Sequence, residues 1–347
     1  METRVLGRTN LEVSVLGCGG GAFYDPNMSG REVSNIMSYL AHKGVNLFET
    51  AEDYDEKKLA DGLKRLRDDS HDIILTTKST ASGDEMAASI DRSLDNLGVS
   101  HIHIYQMQTI TGTGDLKRRL EGGAMDALQE ARSQGKIGFI GFSSHRLDTV
   151  IAGIKTGKFD VVELSYCIGS HAAEEAISLA AEHNVGVIAI SPLGGGILID
   201  RDKKSGAGFM NTENALKWVL HNKNVATALV GMSTVEHAWE NVRAAYKTGS
   251  DDEIRAIEGK ALNFLGNFCR SCKSCMPCDE HGWQFSIDNF FRFRAFFERY
   301  GYRHFNREYQ RLPILADRCT GCGKCEPRCP YNIKIMEGLK KTHELLK

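Results

Sequence analysis

Residues 29–48 read Ser29-Gly30-Arg31-Glu32-Val33-Ser34-Asn35-Ile36-Met37-Ser38-Tyr39-Leu40-Ala41-His42-Lys43-Gly44-Val45-Asn46-Leu47-Phe48. Val33, Ile36, Met37, Leu40 and Ala41 fall at i, i+3, i+4, i+7 and i+8, one face of a helix. Ser29 supplies a capping hydroxyl before it and Gly44 a stop after it. Val45–Phe48 then runs apolar over strand length. The same alternation continues to about Thr248, with strand candidates at Val13–Leu16, Val45–Phe48, Ile73–Thr76, Ile102–Tyr105, Phe139–Phe142, Val161–Leu164, Gly186–Ile190 and Ala226–Val230. Helical patterns between them cover Met86–Leu97, Ala124–Arg132, Leu147–Lys155, Ala172–His183, Ala215–Asn222 and Val235–Tyr246. Several strands are near-continuous β-branched runs, as in parallel strands buried on both faces. Eight β-then-α units imply a (β/α)8 TIM barrel over residues 1–250. A doubly wound sheet is the competing arrangement, but it rarely repeats its unit so evenly.

The glycines of Gly17-Cys18-Gly19-Gly20-Gly21-Ala22 match G-x-G-x-x-A, a dinucleotide fingerprint. That fingerprint should open a helix at once, whereas Phe23-Tyr24-Asp25-Pro26 intervenes and the helix waits until after Ser29. The glycines therefore read as a loop at the mouth of the first barrel strand, where backbone passes close to a ligand.

Beyond residue 250 the pattern changes. Eight of the ten cysteines form two runs, Cys269-x2-Cys272-x2-Cys275-x2-Cys278 and Cys319-x2-Cys322-x2-Cys325-x3-Cys329 followed by Pro330. The second has the spacing of bacterial [4Fe–4S] sites, with the closing Cys-Pro. The first ends on a shorter gap, with Asp279 where proline is expected. Zinc sites usually take separated C-x2-C pairs or add histidine. A disulfide framework suits small secreted domains. The spacing thus favours two [4Fe–4S] clusters with crossed ligation, Cys269, Cys272, Cys275 and Cys329 on one, Cys319, Cys322, Cys325 and Cys278 on the other. Asp251–Phe268 reads as a leading helix, Phe290–Arg311 as an aromatic, amphipathic helical pair, and Ile333–Leu346 as a closing helix. Residues 251–347 are thus expected to form a small, mainly α-helical ferredoxin-like domain. The isolated Cys18 and Cys167 read as small packing residues.

A net charge of −2 over 347 residues gives no electrostatic case for nucleic acid or an anionic membrane. No apolar run approaches the ~20 residues of a membrane span. Met1–Leu6 lacks the apolar core of a secretory signal. Reduced thiols and clusters imply a cytoplasmic setting.

Several strand ends carry a resemblance. Asn46-Leu47-Phe48-Glu49-Thr50-Ala51-Glu52-Asp53-Tyr54 resembles the F-D-T-A-x-x-Y segment of aldo-keto reductases, and Leu75-Thr76-Thr77-Lys78 their catalytic-lysine strand. Ser93-Leu94-Asp95-Asn96-Leu97-Gly98 with Ile104-Tyr105-Gln106 is similar to the helix and strand that follow. Gly135–Ser144 resembles G-K-V-R-x-I-G-V-S-N, Ser191-Pro192-Leu193-Gly194-Gly195-Gly196 the phosphate loop, and Gly231-Met232-Ser233 with Glu240-Asn241 the adenosine end. The cysteine runs match the branch of the family with a fused ferredoxin-type domain. The resemblance implies hydride transfer between NAD(P)H and a small carbonyl or hydroxyl substrate. Tyr54 would be the proton donor, Lys78 its activator, Glu49 the partner of Lys78, and Gln108 the group that orients substrate oxygen. An extended nicotinamide would be lined by Gly19, Gly20, Ser143, Ser144, Glu163, Ser191, Leu193, Gly194, Gly231, Glu240 and Asn241.

The departures are equally specific. Glu49 replaces the family's aspartate, and Gln108 its histidine, a position associated in the family with the choice between carbonyl and carbon–carbon double-bond reduction. Glutamine hydrogen-bonds but does not titrate. Ile190 stands for an aromatic residue that stacks on nicotinamide, and Glu163 for a glutamine that holds its carboxamide. Between Val230 and Val242 there is no lysine or arginine for an NADP 2′-phosphate, only His237, so an NADPH preference is not expected. Three readings follow: a nicotinamide-dependent reductase whose clusters exchange electrons with an external ferredoxin or other carrier, or with a radical-tolerant substrate; a nicotinamide-independent, cluster-driven reductase, including C=C reduction or reductive elimination; and a non-enzymatic electron-transfer module. Tyr54 and Lys78 argue against the last.

Overall fold

The structure is a computed structural model. It describes every residue except 26, 84, 197, 200–208, 266–267, 270–274, 283, 301–302 and 330, and gives only the backbone of 262–265, 296, 299–300, 303–304 and 308. Cys272, Tyr302 and Pro330 therefore lie outside the described residues, as do the side chains of Phe296 and Tyr300.

A hairpin of β1 (Thr3–Val5) and β2 (Glu12–Ser14) precedes eight parallel strands: β3 (Leu16–Gly19), β4 (Leu47–Glu49), β5 (Ile74–Ser79), β6 (Ile102–Met107), β7 (Ile137–Ser144), β8 (Val161–Ser165), β9 (Gly186–Ile190) and β10 (Thr227–Gly231). They follow chain order around a closed barrel, with β10 joining β3. Helices α1 (Gly30–His42), α2 (Lys57–Asp68), α3 (Glu85–Leu97), α4 (Thr113–Glu121), α5 (Ala124–Ser133), α6 (Leu147–Lys155), α7 (Ala172–Glu182), α8 (Thr212–His221) and α9 (Val235–Ala245) alternate with the strands. The expected (β/α)8 barrel is thus present. α1 starts as the sequence implies. The Ser29 hydroxyl accepts from the Glu32 N–H at 3.3 Å, and Glu32 accepts from the Ser29 N–H at 2.8 Å, a reciprocal capping box. Gly44 ends it at φ 83°, where a side chain would be strained.

The expected first strand, Val13–Leu16, divides into two. Val13 and Ser14 pair antiparallel with β1, and the barrel strand begins at Leu16. The corner is made by Ser14, whose hydroxyl donates to the Leu16 carbonyl at 2.7 Å. Its N–H donates to the Asn46 side chain at 2.7 Å. The hairpin closes the N-terminal end of the barrel. Leu6 and Val13, both 0 % exposed, pack with Leu47, Ile74, Ile104, Val161 and Ile188 from the lower ends of the strands. Each such side chain contributes about 1.5–3 kcal/mol by burial. Arg4 fastens the hairpin by donating to the carbonyls of Leu220 and Val225, each at 2.7 Å. Gly7 is obligatory, because at φ 53° an added Cβ would lie 2.2 Å from the Gly186 nitrogen.

The helices continue as α10 (Asp251–Leu265), α11 (Ile287–Tyr300), α12 (Arg303–Gln310) and α13 (Ile335–Leu346). The chain divides into two compact units, 1–194 with 210–258, and 195–209 with 259–347. The second unit has its own aromatic core of Phe285, Phe290, Phe291, Tyr309, Ile335, Leu339 and Leu346. The Tyr309 hydroxyl accepts from the Ala316 N–H at 3.0 Å and pairs with His343 at 2.8 Å. α13 approaches α11 through Gly338, where a Cβ would fall 2.2 Å from the Phe291 ring. Among the described residues no helix is long and apolar enough to cross a membrane.

Candidate active site

The barrel interior is layered by the two-residue period of its strands. Leu47, Ile74, Ile104 and Val161 belong to the lower apolar layer. Two residues further along the same strands stand Glu49, Thr76, Gln106 and Glu163, all 3 % exposed or less. Lys78, two residues beyond Thr76, is 4 % exposed. A charge so deeply placed must be paired, and Lys78 is paired twice. Its Nζ donates to Glu163 Oε1 at 2.8 Å and closely contacts Glu49 Oε1. The outer carboxylate oxygens are also used. Glu163 Oε2 accepts from Gln106 Nε2 at 2.9 Å, and Glu49 Oε2 from the Gly20 N–H at 3.0 Å. Gln106 Nε2 lies 3.1 Å from Thr76 Oγ1 as well.

Tyr54 closes a short 3-10 turn, Glu52–Tyr54, directly above β4. Its ring is half-buried and stands 5.3 Å from Lys78 Nζ, measured to the ring centroid. Gln108, 5 % exposed, donates from Nε2 to Asp53 Oδ1 at 3.0 Å. Arg119, paired with Asp115, holds the Gln108 carbonyl at 3.0 Å. Three non-glycine residues at these strand ends have left-handed backbones: Asp55 (φ 61°), Thr109 (φ 48°) and Ser191 (φ 55°). For a β-branched residue such as Thr109 this is a strained conformation, of the kind that gathers at functional sites.

The charges act on one another. Burial, with the Glu163 carboxylate adding to it and Lys78 opposing it, pushes the Glu49 carboxyl up to about 7. Burial alone would lower Lys78, yet Glu163 and Glu49 hold its ammonium well above the usual lysine value. The Tyr54 phenol is raised by burial. Lys78 draws it down, while Glu49, Asp53 and Glu163 push it up. The simple expectation of a lysine that lowers the tyrosine meets a second carboxylate here: Glu163 is bound to the lysine itself.

The remaining expected groups are spread over neighbouring strand ends. Gly19 and Gly231 face each other in register on β3 and β10. Gly20 is required by protein packing, since a Cβ there would meet the Glu49 carbonyl at 2.5 Å. Ser143 accepts from the Thr109 N–H at 2.8 Å, and Ser144 donates to the Ile110 carbonyl at 2.7 Å. Ser191, Leu193 and Gly194 form the loop after β9, with Gly194 at φ 59°. Glu240 accepts from Thr212 at 2.8 Å, and Asn241 Nδ2 donates to the His237 carbonyl at 2.7 Å. His237 itself pairs with Ser233 at 3.1 Å.

Two tests bear on a nicotinamide. Asn241 Oδ1 is buried and has no partner among the described residues, which leaves an unused acceptor there. At the opposite end Ser143, Ser144 and Glu163 already have protein partners. Gln106, Thr76 and Asp53 were not singled out from the sequence. The available signal was phase: Val161-x-Glu163 and Ile104-x-Gln106 place a polar group on the same inward face as an apolar one.

In the second unit the described run cysteines carry no disulfide. Cys275 and Cys329 are buried in the aromatic core, while Cys269, Cys278, Cys319 and Cys325 pack partly buried against it. Burial pushes the Cys325 thiol up to about 11, with Cys319, Glu326 and Cys322 near enough to add to it. A buried thiol that resists ionising unaided, with others gathered beside it, suits a metal that takes thiolates. Among the described residues no three such groups converge as around a single ion. A cubane, whose ligands each take a different iron, does not require that. Cys278 N–H and carbonyl bond reciprocally with Gly282. Asp279, in place of the expected proline, receives both Arg328 amino groups at 2.9 and 3.2 Å.

The chain belongs to the aldo/keto reductase family, whose model matches residues 15–214, and residues 268–334 match the 4Fe-4S dicluster domain. It is therefore an oxidoreductase whose reductase barrel is followed in the chain by a 4Fe-4S dicluster domain. Among its relatives, L-galactose dehydrogenase of Arabidopsis thaliana is 30% identical over 284 residues, covering 70% of this chain and 88% of the plant protein. The NADH-specific methylglyoxal reductase of Escherichia coli is 24% identical over 326 residues, covering 75% of this chain and 98% of that protein. An aldo-keto reductase of Bacillus halodurans in its holo form superposes with a TM-score of 0.65 at 25% identity, covering 75% of this chain and 96% of the other.

Proposed function

We propose that this protein interconverts a small carbonyl compound and its hydroxyl form, with Tyr54 as proton donor and Lys78 as the charge beside it. The observation that carries this reading is the buried Lys78, held by Glu49 and Glu163, 5.3 Å from the half-buried Tyr54 ring at the C-terminal ends of the strands, where barrel enzymes place their chemistry. A phenol is a poor acid at neutral pH, so a neighbouring ammonium has a clear task when charge develops on substrate oxygen. Gln108 orients that oxygen by hydrogen bonding.

Nicotinamide, when bound, supplies hydride, and iron–sulfur clusters supply electrons singly. Gly19, Gly20, Ser191, Leu193, Gly194, Gly231, Glu240 and Asn241 would hold the dinucleotide, Ser143, Ser144 and Glu163 its reactive ring. NADH is favoured over NADPH, because His237, already paired with Ser233, is the one candidate cation of its stretch. This accords with a relative whose name specifies NADH. The two cysteine runs would hold two [4Fe–4S] clusters by the crossed ligation given above, in a domain of residues 251–347 following a barrel of 1–250. An external one-electron carrier of ferredoxin type would serve them, in a cytoplasmic setting that keeps thiols reduced.

A second reading, cluster-driven reduction without nicotinamide, draws on the internal pairing of Ser143, Ser144 and Glu163. Titration calorimetry with NADH and NADPH separates the two: binding of NADH supports the first, and heat from neither supports the second. In both, Tyr54→Phe should lower turnover by ~10²–10⁴ while binding survives. Near wild-type turnover in that variant would overturn the role of Tyr54.

A further inference from the structure

Lys78 meets two carboxyl groups within its own hydrogen-bonding shell, both on barrel strands and both nearly sealed from solvent. One ammonium balances one carboxylate. The second leaves the set either with an uncompensated buried charge or with one additional proton, and burial strongly disfavours the bare charge. The titratable groups around Glu49 are Cys18 on β3, Tyr54 above β4, Lys78 on β5 and Glu163 on β8, and Asp53 acts on Tyr54. Of these only Lys78 is cationic. Cys18 is held neutral by burial with Glu49 beside it.

We propose that Glu163 is a positioning residue that, with Glu49, brackets Lys78 so that the buried triad stores one proton and returns it through Lys78 to Tyr54 after Tyr54 has protonated the substrate. The proposal rests on the reading of Tyr54 as the proton donor. The proton balance is simple. The Tyr54 O–H bond breaks as the substrate O–H forms. A Lys78 N–H bond then breaks as the Tyr54 O–H re-forms. The carboxyl O–H breaks last, and Lys78 is an ammonium again. The electron pair that reduces the substrate comes from a hydride donor of the nicotinamide class, so the triad moves protons alone. Glu49 is the natural store, since its carboxyl stays protonated to about 7.

Infrared difference spectroscopy on the full, cluster-loaded protein reads the stored proton directly and needs no substrate. A buried protonated-carboxyl band should titrate away as pH is raised from about 5 to about 9. Glu49→Gln and Glu163→Gln should each remove it at neutral pH, because either leaves Lys78 facing one carboxylate. Glu56→Gln is the control, since Glu56 is a second buried carboxyl raised by burial, and its loss must leave the band in place. Absence of such a band in the wild type, or its persistence at neutral pH in Glu49→Gln or Glu163→Gln, would overturn the proposal. The wild type and Glu49→Gln decide the matter even if Glu163→Gln does not fold. In turnover, Glu163→Gln should move both limbs of the pH profile to lower pH, since both Glu49 and Tyr54 lose a neighbouring negative charge; unmoved limbs contradict it. The role of Tyr54 is tested separately by Tyr54→Phe, so a missing carboxyl band and a failed donor assignment are distinct outcomes.

Discussion

In the barrel, the chemically capable groups stand on strands above an apolar layer and are clasped by one another: Lys78 is ion-paired with Glu49 and Glu163, and Glu163 also accepts from the Gln106 amide. In the C-terminal unit they stand on the segments between helices, against a wall of phenylalanines, and the described thiols are free of disulfides. The charged groups of the first site find partners among its own side chains. The second gathers soft ligands and leaves their neutralisation to iron. One region therefore owes its polar stability to internal pairing, the other to what it binds.

The largest test of that contrast is removal of iron. A structural metal supplies on the order of 10 kcal/mol of folding free energy to a small domain. Anaerobic chelation should therefore abolish the calorimetric transition of the C-terminal unit and leave that of the barrel. A single unchanged thermogram would break the contrast. Metal analysis before chelation should return about eight iron per chain for two cubanes.

Next comes Lys78→Met, which strands two buried carboxyl groups. Breaking a buried pair costs about 3–5 kcal/mol, read by denaturant unfolding of the barrel at about pH 8. The loss should shrink in acid, where the carboxyls take up protons. The wild type should lean the same way. The folded Glu49 binds its proton up to about 7, whereas an unfolded glutamate releases it near 4.5. The folded state thus holds more protons in that window, and Glu49's contribution to stability falls as pH rises through it.

Gly338→Ala should act on the other unit. The new methyl meets the Phe291 ring at 2.2 Å. Overpacking costs about 1–3 kcal/mol, and the better helix propensity returns about 1. The C-terminal transition should drop slightly and the barrel transition not at all. Smallest of all is Arg328→Gln. Its pair with Asp279 is geometrically good but lies in solvent, where salt screens it. The thermal midpoint should barely change, and the iron content should hold.

Much of the barrel was legible because each unit signals itself locally. Ser29, Glu32 and Gly44 bound α1 by chemistry that needs no tertiary context. Two helices, α2 and α4, do not stand out in the sequence pattern. In α2 the buried Leu59, Leu63 and Leu66 keep helical spacing, but seven charged residues among Lys57–Asp68 dilute the pattern. The corner at Ser14 was hidden because Val13-Ser14-Val15-Leu16 reads as one continuous strand. In the site, Glu49, Tyr54 and Lys78 could be nominated because they fall in one compact motif or at one strand end. That Glu163 binds Lys78 could not be read, since 85 residues separate the two and only barrel closure brings them together.

The hairpin at the foot of the barrel has a consequence for timing. With Leu6 and Val13 driven into the lower end of the strands and Arg4 pinning the hairpin to the Leu220 and Val225 carbonyls, that end is corked against water. Under the proposal above, Glu49, Lys78 and Glu163 would then exchange protons with bulk solvent through the mouth, where Tyr54 stands half-buried. A ligand seated in that mouth would close this route. On that proposal the site would work as a single-charge chamber: it would enter each turnover with the proton it already holds and be reloaded once product has left.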